Sequence, residues 1–165
     1  MLQQETRAQQ LIRLYGGNCR PKLTYSTTTD LVDILTVDRA DINWIPRVRR
    51  ETAKSNVCPM CGKRDTFQLD HMNPWRPYVI FMLGANEATQ SGNKLMVSKN
   101  IVRALYNDPD NLWWICTHCN GLKSDRIYTI AEVNAIRGGS APGTPDIKGE
   151  AIRDSDTLIS LLSKV

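Results

Sequence analysis

An α+β fold is what this sequence predicts, and three observations predict it. Helical patterns occupy both ends of the 165-residue chain. Two short strand-like segments, 66–70 and 112–115, lie between them. Two Cys-x-x-Cys pairs, Cys58-Pro-Met-Cys61 and Cys116-Thr-His-Cys119, adjoin those segments and can tie them together.

The elements follow in chain order. In residues 1–15, Leu2, Leu11, Ile12, Leu14 and Tyr15 cluster toward one side of a helix, which Gly16-Gly17 ends. Residues 18–28 are polar and β-branched, a loop with strand character. Thr29 or Asp30 caps a short helix through Leu35. Pro46 suits the first turn of a helix running from Arg47 to about Ser55. Alternating apolar and polar residues make 66–70 a strand. Residues 78–83 and 97–106 read as helices, separated by the polar, Gly-containing 86–93, and residues 107–110 form a turn. Leu112 to Ile115 is a strand, and a helix starts after Cys119. Residues 137–145 are a Gly/Ser/Pro linker. A final helix over 149–164 packs through Ile152, Leu158, Ile159, Leu161 and Leu162.

Composition bounds the class of protein. Hydrophobic residues at 41% and charged residues at 23% are those of an ordinary globular chain with its own core, so a metal need not supply all the stability. The net charge of +4 permits a nucleic-acid partner without requiring one. Four of the five cysteines fall in the two pairs and Cys19 stands alone, which argues against a disulfide scaffold and for a reducing, cytoplasmic site of action. No signal peptide is visible at the start, although secretion that needs no cleaved signal stays open. The most apolar stretch, 78–83, is too short to span a bilayer.

Three groups of residues carry chemistry. Cys58, Cys61, Cys116 and Cys119 match a tetrahedral four-thiolate zinc site, which is coordinatively closed and therefore structural. The alternatives are four reduced, metal-free thiols or a redox pair; two pairs among five cysteines favour the metal. The second group is Asp70-His71 at the end of a strand. A free imidazole titrates near neutrality and so suits a general base, and an adjacent carboxylate can hold a divalent cation. Successive strand residues point to opposite faces, so the pair serves one site only where the strand twists or ends. The third group is Asp110-Asn111-Leu112 with Cys119-Asn120-Gly-Leu-Lys123. Alone, Asn111 is a turn residue and Asn120 a helix cap.

In combination these motifs resemble the HNH endonucleases, the zinc-ribbed branch of the ββα-metal nucleases, over about residues 47–128. The third motif residue is Asn rather than His, similar to the HNN form. The resemblance implies His71 as the general base, Asp70 and Asn120 as ligands of a catalytic Mg²⁺ or Mn²⁺, and Asn111 as the residue that orients His71 through its ring or main chain. It implies a ββα-metal core within 47–136 with an insertion at about 73–106, which the helical extension over 1–46 and the linker and helix over 137–165 flank. Departures are the forty residues from His71 to Asn111 and the direct adjacency of Cys119 and Asn120.

Basic residues form a possible phosphate-binding set: Arg47, Arg50 and Lys54 at helical spacing with Arg49 beside them, Lys63 and Arg64 on the first knuckle, and Lys123 and Arg126 after the second. The competing reading of each is an ordinary solvated face, the commoner outcome for any one helix. His118 is expected to be exposed. One of Trp113 and Trp114 should face inward, which leaves Trp75 and Tyr78 as better candidates for base stacking. The expected function is metal-dependent hydrolysis of DNA with low sequence specificity, in a phage or defence nuclease or in a toxin held by an immunity partner. A zinc-knuckle DNA-binding module without catalysis and an assembly adaptor are the competing readings.

Overall fold

The computed structural model describes residues 4–16, 28–36, 42 and 44–123. Cys19, Arg126, the linker over 137–145 and the helix expected over 149–164 lie outside the described residues. The described chain forms two compact units, one from residues up to Val48 together with Trp75–Asp108, the other from Arg49–Pro74 and 109–123. The fold is mixed, with helices and two antiparallel sheets, as expected.

The first unit opens with α1 (Arg7–Tyr15), where Thr6 and Gln9 form a reciprocal capping box. Strand β1 (Thr28–Asp30) leads into α2 (Leu31–Thr36). The Asp30 carboxylate accepts from the Val32 N–H at 3.1 Å, the cap anticipated from its side chain. Helix α3 (Pro46–Glu51) starts on its proline and stops four residues short of the expected Ser55. Helix α4 (Trp75–Met82) is followed by the hairpin β3 (Ala88–Ser91) and β4 (Lys94–Ser98), then α5 (Lys99–Tyr106). Strand β4 is central in the order β1-β4-β3.

That hairpin replaces the polar loop expected over 86–93 and shortens the helix expected from 97. Ser91 pairs with Lys94, leaving a two-residue Gly92-Asn93 loop with Gly92 at φ +63°. Such loops require positive φ, which glycine adopts without strain. Residues 73–106, expected as an insertion in the core of the second unit, belong mostly to the first. The physical reason is the apolar stripe of α5, which buries Ile101, Val102, Ala104 and Leu105 in the unit that also buries Ala8 and Leu11 of α1. Trp75 is 2% exposed and meets Tyr106 edge-on at 5.3 Å, so it is a core residue rather than a stacking platform.

A buried ion pair ties the two ends of this unit. Asp108, fully buried, takes Arg7 Nε at 2.8 Å and Nη2 at 2.6 Å, and the Tyr78 hydroxyl donates to it at 2.6 Å. Tyr78 is thereby also committed to the core. A buried carboxylate with three donors is well satisfied, and removing one charge strands the other. Arg7→Ala should therefore lower stability by about 3 kcal/mol or more, and Tyr78→Phe by about 1 kcal/mol, read from denaturant unfolding. Equal small losses in both would show that Asp108 does not depend on its arginine.

The second unit holds β2 (Phe67–His71), a 3₁₀ turn (Pro109–Asn111), β5 (Leu112–Cys116) and α6 (Thr117–Lys123). Strands β2 and β5 run antiparallel, with Asp70 opposite Trp113 and His71 opposite Leu112. The strands lie within one residue of their expected bounds. The core of this unit comprises Cys58, Met60, Met72, Trp113, Ile115, Cys116 and Cys119.

Candidate functional site

The cysteine tetrad is built by two tight turns. In the first knuckle the Gly62 N–H donates to Cys58 O, and the Cys58 N–H to Lys63 O, both at 2.8 Å. Gly62 sits at φ +72°, a conformation that strains any residue with a Cβ. In the second, Cys116 ends β5 and Cys119 lies in the first turn of α6. Backbone N–H groups point at sulfur: Cys116 N to Cys58 Sγ and Cys119 N to Cys116 Sγ, each at 3.4 Å. The Thr117 N–H donates to Thr66 O at 3.0 Å and holds β5 to the base of β2.

All four sulfurs lie within 4.8 Å of one another. Cys61 and Cys116 Sγ are 3.8 Å apart. Four thiolates at about 2.3 Å from one ion occupy tetrahedron corners about 3.8 Å apart. A disulfide would need about 2.05 Å. The donor set and its spacing thus fit a metal ion such as zinc, and four protein ligands leave no open position for chemistry. Burial opposes the Cys58 thiolate, but the N–H groups of Cys116, Cys61 and Met60 outweigh it and bring the thiol down to about 7. Burial raises Cys116 and Cys119, and at Cys119 the neighbouring sulfurs add to it. One anion is tolerated, then, while a full set of thiolates calls for a cation among them.

The β2–β5 pair and α6 bring together a second group. Gln68 and Asp70 project from one face of β2, two residues apart. Asn120 and Lys123, three apart on α6, meet them. Asn120 Nδ2 donates to Gln68 Oε1 at 2.8 Å, which leaves the Asn120 amide oxygen as its open acceptor. Lys123 Nζ lies 2.8 Å from Asp70 Oδ2, with side chains 1% and 16% exposed. Trp113 Nε1 donates to the same oxygen at 3.1 Å.

Asn111 locks the chain just beyond His71. Its Oδ1 accepts from the Asn73 N–H at 2.8 Å, its Nδ2 donates to Asn73 O at 2.9 Å, and its own carbonyl accepts from the Met72 N–H at 2.7 Å. These contacts are to the main chain of Met72 and Asn73, the two residues that follow His71. His71 is the last residue of β2 and 5% exposed. By strand alternation it leaves β2 on the face opposite Asp70, at the point where the strand ends.

Several basic residues depart from a phosphate-binding role. Lys123 is buried and paired with Asp70 rather than solvated. Arg47 donates to Leu14 O at 3.2 Å and stacks over Tyr15 at 5.3 Å within the first unit. Lys54 caps the rings of Trp114 and Phe67 at 5.1 and 5.8 Å. Arg49, Arg50, Lys63, Arg64 and His118 are exposed. Trp113 is the inward member of its pair, and Trp114 Nε1 donates to Thr52 O at 3.1 Å. Sequence reasoning missed Gln68 and the Lys123 pairing. The i, i+2 spacing on β2 set against i, i+3 on α6 was the available signal.

Comparison with known proteins gives no match: no family model, no curated protein and no solved structure matches this chain. Among the described residues, no helix is long and apolar enough to cross a membrane.

Elemental analysis of the purified chain should find about one tetrahedral metal ion per molecule. Its removal by a chelator, or Cys119→Ser, should lower the melting temperature by about 10 °C or more, since ion binding is part of folding. A metal-free chain of unchanged melting temperature would remove the structural role.

Proposed function

We propose that the protein is a cation-dependent nuclease of the HNH type that hydrolyses DNA phosphodiesters, with structural zinc on its cysteine tetrad. One observation carries the reading. The tetrad joins a two-stranded hairpin to a helix so that Asp70 and Asn120 share the β2–α6 interface, while Asn111 grips the two residues after His71. The order strand, strand, helix and the types Asp-His, Asn, Asn are those the family resemblance implies.

The chemistry follows from the residues. His71 accepts the proton of a water molecule as the water attacks phosphorus, and the 3′ or 5′ oxygen departs with its electron pair. Asn111 keeps the turn after His71 from relaxing, so the imidazole stays where β2 delivers it. The Asp70 carboxylate and the Asn120 amide oxygen are hard donors of the kind Mg²⁺ and Mn²⁺ take, with phosphate and water completing the shell. Such an ion supplies positive charge to the phosphate and the leaving oxygen. Exposed Arg49, Arg50, Lys63 and Arg64 are available to the phosphate backbone, which carries little base information, so low sequence specificity is the expected behaviour.

A non-catalytic DNA-binding module is the second reading, and one contact favours it: Asp70 Oδ2 already carries Lys123 and Trp113. Supercoiled plasmid distinguishes the two. Mg²⁺- or Mn²⁺-dependent nicking that EDTA stops and His71→Ala abolishes supports the nuclease. A gel shift without cleavage in either metal sinks it. Asn111→Ala should retain the tetrad metal but lose about tenfold or more in kcat; full activity would show that the turn does not position His71.

A further inference from the structure

The nuclease reading leaves one buried charge without a task. Lys123 is 1% exposed, and its ammonium stands 2.8 Å from the carboxylate expected to bind the catalytic cation. A lysine is rarely buried unless paired, and here the pairing partner is the one acid facing α6 from β2. Charge counting makes the consequence plain. Asp70 and Lys123 cancel, and the Gln68 and Asn120 amides that meet beside them are neutral. These four side chains together offer a divalent ion no net charge, and an ion on the other oxygen of Asp70 would also face the ammonium as a like charge. A phosphodiester adds one negative charge and removes that deficit.

Resting on the nuclease reading, we propose that Lys123 is a positioning residue that keeps the cation site weak until a phosphodiester joins it, so that ion and nucleic acid are captured together. Lys123 and Trp113 both fall on Oδ2, which fixes the carboxylate plane and leaves Oδ1 as the single oxygen offered to the ion. The free protein then resists loading with cation, and DNA and ion tighten each other's binding by the same factor.

The test measures Mn²⁺ affinity by calorimetry on the full chain in the His71→Ala background, where duplex DNA persists. Without DNA, Mn²⁺ should bind weakly; with DNA, its Kd should fall about tenfold or more. Lys123→Met, or Lys123→Gln should Met disturb the fold, should bring the DNA-free Kd down by about tenfold or more and shrink the DNA effect. Lys123→Arg keeps the charge and should keep the weak, DNA-dependent binding. A DNA-free Kd that does not move on loss of the charge, or a Kd indifferent to DNA, overturns the inference. If the His71-intact chain still nicks plasmid in that case, the nuclease reading stands and only the role of Lys123 falls. A chain that neither nicks plasmid nor binds Mn²⁺ beside DNA sinks both.

Discussion

Four sulfur atoms within 4.8 Å of one another are the constraint on which the second unit depends. They come from two turns far apart in sequence, and three of the four cysteines are among the most buried residues of the chain. The hairpin they close has only five residues in each strand. A two-stranded hairpin of that length is at best marginal in water. The tetrad stitches the knuckle at Cys58–Cys61 to the corner between β5 and α6, and it thereby sets the angle at which α6 leaves the sheet. An ion among thiolates that burial alone would keep protonated would turn a costly arrangement into a favourable one.

From that angle follows the polar interface between β2 and α6. Two rungs cross it, Gln68 to Asn120 and Asp70 to Lys123, because a strand repeats a face every second residue and a helix every third or fourth. The same residue types serve either a structural tie or a cation site. Beside this interface, Asn111 spends both ends of its amide and its carbonyl on the turn that follows His71. Those three hydrogen bonds satisfy a buried side chain and fix the turn.

The first unit is held differently. Its order comes from the apolar stripe of α5, the three-stranded sheet β1-β4-β3, and the Arg7–Asp108–Tyr78 cluster. A fully buried carboxylate is tolerable there because bidentate guanidinium geometry and a phenolic hydroxyl replace the water it lost. Residues 75–106 thus have a packing reason to exist that is independent of any substrate. Trp75 and Tyr78, the better candidates for base stacking in the sequence, are spent on that core.

Local signals were legible wherever a few consecutive residues dictate the geometry. The knuckle spacing, the Asp30 cap, the proline at the start of α3, both strands of the hairpin and the inward Trp113 all follow from near neighbours in the chain. The Gly92-Asn93 hairpin is equally local, but its polar residues read as a loop. Beyond reach were facts that depend on partners distant in sequence: that Lys123 is buried, that its partner is Asp70, and that 75–106 packs with α1. The sequence by itself determined which four cysteines could share a metal and which residues are chemically apt, since spacing and side-chain type are properties of short segments. Only the tertiary structure decided which of those groups touch, because burial and pairing are settled when separate elements compete for the same space and the same few charges.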